Sequence, residues 1–212
     1  NYQLLTFSVL FNMTKLKLFY TIMKINSICI KKYKLNLPIL WLFLDEDRIE
    51  NELAFLKLLP SAKFIGVIVR TKNKKTLYKK TKLVSKICKM KGFKVVVSCS
   101  PQIAMSVGAY GVHFSKDVKN TRTYNKLSYS CSFHNFTDIR RTKNLGVDKV
   151  FISPVFKTAS SNNKKPLGLT RLLFLSRSLK CDIGILGGVN KQNITKLRNK
   201  RITHIGGVSL FF

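Results

Sequence analysis

The chain has 212 residues, 39 of them Lys or Arg against nine Asp or Glu, for a formal net charge of +30. With 45% hydrophobic residues a wholly disordered chain is excluded, and so few carboxylates exclude a binder that works through an acidic surface. Thirty of the bases are Lys spread along the whole chain. A solvated, Lys-decorated surface accounts for them better than specific nucleic-acid recognition, which favours the planar Arg fork.

Residues 1–35 read as an N-terminal extension, disordered or translated from upstream, with Met13 and Met23 as candidate starts. The apolar run Leu4–Phe11 is too short to span a bilayer, and its basic residues follow it, the reverse of a signal peptide. A folded region over 36–212 is expected to follow. Ile39–Leu44 is a continuous apolar run, as in a strand buried on both faces. Residues 49–58 carry a helical pattern stopped by Pro60, and Phe64–Val69 is a second strand. Residues 75–91 predict a Lys-rich amphipathic helix with Leu77, Leu83, Val84, Ile87 and Met90 inward, closed by Gly92.

Strands are then predicted at Phe93–Val97, Tyr110–Phe114, Leu127–Ser132, Lys149–Ile152, Cys181–Leu186 and Ile202–Val208. Helices are predicted at Pro101–Val107, 135–144, 167–179 and 190–199, and the stretch from 115 to Lys126 is polar and poorly patterned. Eight strands alternating with helices imply a parallel sheet. The expected fold class is α/β, a compact (β/α)8 TIM barrel with its eighth helix missing or truncated. An open doubly wound sheet is the alternative, weakened because no G-x-G-x-x-G follows the first strand. Five widely spaced cysteines form no C-x-x-C pair, so neither disulfides nor zinc are indicated and a reducing cytoplasm fits.

In such a barrel the chemistry sits where strands end. The residues following the predicted strands are rich in hydroxyls, small residues and bases, groups that bind phosphate. Gly187-Gly188 after the seventh strand and Gly206-Gly207 at the eighth fall where these barrels commonly hold phosphate. The polar segment Ser153–Leu169 reads as a flap.

At these residues the sequence resembles the thiamine-phosphate synthase and thiazole tautomerase family. The likeness runs from about residue 38 to 210. It rests on Val107-Gly108-Ala109-Tyr110-Gly111-Val112-His113, on Ser153-Pro154-Val155-Phe156-Lys157-Thr158 with Pro166-Leu167-Gly168-Leu169, and on Ile185-Leu186-Gly187-Gly188-Val189. The resemblance implies an enzyme that couples a hydroxymethylpyrimidine pyrophosphate to a thiazole phosphate and releases pyrophosphate. It implies substrate- and phosphate-binding roles for Arg70, Lys72, Thr158, Ser160, Gly168, Gly187, Gly188, Val208 and Ser209. It places Ser132 and His134 in catalytic positions. It further implies Mg2+, for which Asp117, with Asp45, is the candidate ligand.

Several positions depart from the family pattern. Ile68 stands where the synthase has a pyrimidine-contacting Gln. Ser98 and Cys99 replace an Asn-Asp pair whose Asp binds magnesium, Ser115-Lys116 replace a Gly-Gln, and Val118 occupies the second magnesium Asp position. Three other readings stay open. His134 could serve as the acid and base of a metal-free thiazole tautomerase, the barrel could be a non-catalytic phosphate binder, or the charge could serve nucleic acid. No specific nucleic-acid partner and no membrane span are expected, and oligomeric state is left open.

Overall fold

A computed structural model describes residues 37–71, 73–119, 121–158, 165–190, 192–197 and 201–211. The expected extension over 1–35, and the candidate residues Lys72 and Ser160, lie outside the described residues. The elements are β1 (Leu40–Phe43), α1 (Glu52–Leu58), β2 (Ile65–Val69), α2 (Lys74–Lys91), β3 (Lys94–Val97), α3 (Pro101–Ser106) and β4 (Gly111–Phe114). They continue with β5 (Ser128–Phe133), α4 (Asp138–Leu145), β6 (Lys149–Ile152), α5 (Gly168–Ser178), β7 (Asp182–Leu186) and β8 (His204–Gly207). Each strand pairs in parallel with the next, and β8 pairs with β1, so the sheet closes into an eight-stranded barrel. The expected fold class is the one observed.

Local chemistry sets the helix ends. The Asn51 side chain accepts from Ala54 N at 3.0 Å and Asn73 from Lys75 N at 3.0 Å, which caps α1 and α2. Gly92 ends α2 in the left-handed region at φ 75°, a conformation that costs glycine nothing. Along α2 the buried positions are Leu77, Thr81, Val84, Ile87 and Cys88. Leu83 and Met90, expected inward, are instead exposed at 45% and 69%. They sit one step round the helix from that stripe, about 100° away.

The helix expected over 190–199 is also corrected. Its described part is a 3-10 turn, Ile194–Leu197. Asn190 and Asn193 explain this locally. The Asn190 Oδ1 accepts from Gln192 N and Asn193 N, and the Asn193 Oδ1 accepts from Asn190 N. These side chains take up backbone groups that a regular helix start would use differently. A second 3-10 turn, Ser209–Phe211, follows β8 where a full eighth helix would stand. Among the described residues no helix is long and apolar enough to cross a membrane.

The barrel interior is filled by large rings set against glycines. Trp41 of β1 stands in register with Gly66 of β2 and Gly206 of β8, and Phe151 of β6 with Gly184 of β7. A Cβ on Gly66 would lie 2.4 Å from the Trp41 ring, one on Gly184 2.6 Å from Phe151, and one on Gly206 2.7 Å from Phe43. The rings meet edge to face, Phe43 on Phe151 at 5.1 Å and Trp41 on Phe151 at 5.9 Å between centroids. At the N-terminal end of the strands Lys149, 5% exposed, is covered by the Trp41 ring at 4.9 Å and donates to Ser128 Oγ at 3.1 Å. His204 lies beside it, accepting from Trp41 Nε1 at 3.4 Å and facing Asp182 at 3.5 Å. His204 is thus part of the packing below the mouth.

Gly66→Ala should destabilise the fold by roughly 1–3 kcal/mol, because the Trp41 ring has no free rotamer in a filled barrel. Urea unfolding compared with an exposed control such as Lys86→Ala measures it.

Candidate active site

The C-terminal ends of the strands surround a cavity of about 330 Å³. Its lining includes Phe43 and Asp45 from β1 and its following loop, Arg70 after β2, Ser132 and His134 at the end of β5, and Ser153 after β6. Gly187 and Gly188 after β7, and Gly206 to Leu210 around β8, complete it with Thr158. Eight of the predicted residues therefore converge on one mouth: Arg70, Ser132, His134, Thr158, Gly187, Gly188 and, just after β8, Val208 and Ser209. These groups come from positions as far apart as 43 and 210, brought together by closure of the barrel.

Arg70 is held on three sides. Its Nε donates to Leu44 O at 3.0 Å, its Nη2 pairs with Asp45 Oδ2 at 2.8 Å, and its guanidinium carbon stands 5.7 Å above the Phe43 ring. A guanidinium so fixed keeps donors in hand for an anion without paying further rotamer entropy.

Ser132 belongs to a buried relay. His113 bonds Ser130 Oγ through Nδ1 and Ser132 Oγ through Nε2, both at 3.0 Å, and Ser130 Oγ donates to Val112 O at 3.3 Å. Because Ser130 spends its proton on a carbonyl, the network assigns the hydrogen to His113 Nδ1 and makes Nε2 the acceptor from Ser132. Ser132 Oγ then offers its lone pairs to a donor in the cavity. Burial, reinforced by the charges of Arg70 and Arg141, pushes His113 down to about 3, so the imidazole stays neutral. It supports the site and does not titrate in it.

His134 is anchored by its backbone, whose N–H donates to Asp138 Oδ2 at 2.7 Å, and by its ring, whose Nδ1 donates to Ser153 O at 2.8 Å. That fixes the tautomer and leaves Nε2 as the basic nitrogen. Asp138, at the start of α4, also accepts from Asn135 N and pairs with Arg141, whose guanidinium reaches Ser132 O and Ser115 O. One carboxylate and one guanidinium thus lock the rim after β4 and β5.

The glycine turn after β7 is locked to the loop after β6. Phe156 N donates to Gly187 O at 3.2 Å, and Asn193 Nδ2 donates to Gly188 O at 2.7 Å. With both carbonyls engaged, what the turn offers an anion is its amide N–H groups. Gly187 and Gly188 have φ of 90° and 71°, and a Cβ on Gly188 would meet the Lys157 carbonyl. Gly168 does not line the cavity. It starts α5 at φ 72° and its N–H donates to Val155 O at 3.1 Å, so it closes the base of the flap.

Arg48, which lines the cavity, carries no motif signal. Its only mark in the sequence is that it is the one base inside the acidic run Asp45–Glu52. Cys131 is a core residue and Cys99 packs against the core; burial raises the Cys99 thiol to about 11 and raises Cys131 as well.

All nine Asp and Glu side chains lie among the described residues. Asp45 alone lines the cavity. Its Oδ2 is taken by Arg70 and its Oδ1 accepts from Asp47 N at 3.2 Å. Asp117, the expected metal ligand, is exposed on the loop after β4 and does not line the cavity. Glu46 and Glu52 pair with Lys80, Asp138 serves the rim, Asp148 accepts from Tyr129 N, and Asp182 faces His204 at the far end of the barrel. Asp47 and Glu50 are exposed beyond the lining. No group of three His, Cys, Asp or Glu among the described residues is placed to hold a metal. The donor set does not fit a carboxylate-held Mg2+.

Residues 42–211 match the family model described as thiamine monophosphate synthase. The thiamine-phosphate synthase of Prochlorococcus marinus subsp. pastoris is 32% identical over 170 residues, covering 77% of this chain and 48% of that protein. That of Persephonella marina is 25% identical over 150 residues, covering 68% and 72%. The chain spans about half the length, or less, of the Prochlorococcus relatives it matches. Among solved structures, a thiamine phosphate pyrophosphorylase from Pyrococcus furiosus superposes with a TM-score of 0.61 at 18% identity, covering 80% of this chain and 84% of that one. An HpcH/HpaI aldolase/citrate lyase family protein from Burkholderia cenocepacia gives 0.60 at 12%, covering 88% and 94%. At these identities the structural likeness attests to the barrel alone.

Two outcomes follow from this geometry. Gly188→Ala should cost about 1–2 kcal/mol from the left-handed backbone alone and weaken binding of a phosphate probe about tenfold, since the turn must open to clear Lys157 O. Thermal-shift titration with inorganic phosphate measures both. His113, neutral in the fold and protonated below its ordinary value near 6.5 when unfolded, contributes stability that is complete above pH 6.5 and lost as pH falls towards 3. Urea unfolding at pH 7 and pH 5 should therefore show a smaller loss in His113→Asn than in the native chain.

Proposed function

Because the chain belongs to the thiamine monophosphate synthase family, we propose that it couples a hydroxymethylpyrimidine pyrophosphate to a thiazole phosphate, releasing pyrophosphate. The observation that carries this reading is the convergence of two anion-binding elements on one cavity. Fixed Arg70 stands on the β1–β2 side, and the Gly187-Gly188 turn with Ser209 stands on the β7–β8 side. Two phosphorylated halves need such a divided mouth.

In this reading the thiazole phosphate takes the amides after β7, with the hydroxyls of Thr158 and Ser209. The diphosphate lies against Arg70. The bond from the pyrimidine methylene carbon to the diphosphate oxygen breaks and its electron pair stays on that oxygen. The resulting carbocation is captured by the lone pair of the thiazole nitrogen, which forms the new C–N bond. Arg70 stabilises the charge that develops on the departing diphosphate, and it does so without reorganising because Asp45, Leu44 and Phe43 already hold it. Ser132 positions the pyrimidine through its lone pairs. Lys72 and Ser160 would add a cation and a hydroxyl to the two halves.

A second reading has one observation of its own. With Nδ1 donated to Ser153 O, His134 keeps a basic Nε2 in the lining, which suits proton transfer on a thiazole in a tautomerase. The test is a coupling assay with both phosphorylated halves. Product should form, and Arg70→Gln should lower kcat/KM on the order of 100-fold. Absence of product together with solvent-proton exchange into the thiazole, lost in His134→Gln, would replace the synthase reading by the tautomerase one.

A further inference from the structure

The diphosphate half of the mouth poses a charge problem that the carboxylate inventory makes acute. A departing diphosphate needs compensating positive charge in a site that excludes water. A resident magnesium would need free oxygen ligands from the protein. All nine carboxylates of the chain are placed, and the one in the cavity, Asp45, has one oxygen on Arg70 and the other on Asp47 N.

The same loop supplies a cation in its place. Arg48 stands three residues after Asp45, its backbone N–H donating to Asp45 O at 3.1 Å, and this exposed arginine lines the cavity together with Arg70. Asp45 therefore contacts both arginines, the Arg70 guanidinium through its carboxylate and the Arg48 backbone N–H through its carbonyl. Asp45 itself neutralises only part of this charge, so the pair keeps a net positive potential towards the cavity. Each guanidinium presents N–H donors in a plane that matches phosphate oxygens bidentately, which a lone ammonium does not.

We propose that Arg48 and Arg70 together bind the diphosphate without a divalent cation, so that this member of the family handles its leaving group with guanidiniums where a magnesium ion would otherwise serve. The proposal rests on the synthase reading for the identity of the ligand. Arg48 is a binding residue that sequence pattern does not mark. The bond changes are those given above, and no proton or electron beyond the two substrates is required.

The test uses the full chain and inorganic pyrophosphate, followed by isothermal titration in EDTA and again in excess Mg2+. Pyrophosphate should bind in EDTA, and Mg2+ should not tighten it. Arg48→Gln should weaken binding about tenfold and Arg48→Gln with Arg70→Gln at least about a hundredfold, one guanidinium contact corresponding to roughly a factor of ten. Arg48→Lys should recover only part of the loss. Lys86→Gln, on the exposed face of α2, controls for overall charge, and each variant's unfolding midpoint controls for folding. Binding that appears only with Mg2+ overturns the proposal, as does an equal loss in Lys86→Gln. Metal-free binding that depends on both arginines, with no coupling under any metal, supports it while removing the synthase reading, so the two failures are distinct.

Discussion

The structure depends on a fit between rings and glycines inside a closed sheet. Eight parallel strands enclose a space that side chains must fill at close-packed density. Here Trp41, Phe43 and Phe151 are among the largest fully buried side chains, and Gly66, Gly184 and Gly206 on other strands make room for them. The consequence reaches the mouth. Phe43 is at once the partner of Phe151 below and the ring on which Arg70 rests above. His113 stacks edge-on against Phe43 at 5.6 Å, and its imidazole aligns Ser132. The core thus sets the orientation of the groups that meet a ligand.

Charged groups gather at two levels of the barrel. Below the rings, Lys149 donates to Ser128 Oγ, and His204 accepts from Trp41 Nε1 and faces Asp182 at 3.5 Å. Burial lowers the pKa of both Lys149 and His204, with Asp182 opposing the effect on each. At the upper level, Asp138 and Arg141 lock one side of the rim and Asp45 and Arg70 the other. The two pairs do different work. Asp138 is spent on backbone amides and a neighbour, so Arg141 is a strut. Asp45 leaves Arg70 with donors still facing the cavity, so that pair can serve a ligand. Scarcity of acids sharpens this division, since Asp45 is the one carboxylate that lines the cavity and it is paired with Arg70.

Much of the fold was legible in the sequence. Short apolar runs such as Ile39–Leu44 and Ile65–Val69 are buried on both faces, and that is the pattern parallel strands between helices require. The glycine pair after β7 and the hydroxyls after β5 and β6 were legible because strand ends in a barrel share one face. Failures came where local side chains or helix phase decide. Asn190 and Asn193 turn a helical pattern into a 3-10 turn, and Leu83 and Met90 fall off the buried stripe by one helical step. Asp117 stood near a ligand position in linear order, yet an exposed loop carries it out of the cavity.

The sequence by itself determined the alternation of strands and helices, the scarcity of carboxylates and the hydroxyl, glycine and cationic character of the strand ends. These are properties of composition and of short-range period, which a linear chain records directly. Only the tertiary structure decided that Arg48 joins Arg70 at the mouth, that both oxygens of Asp45 are already engaged, and that His113 is a neutral support for Ser132. Those facts depend on which side chains meet across the barrel. Closure of the sheet sets those meetings, and no spacing along the chain encodes them.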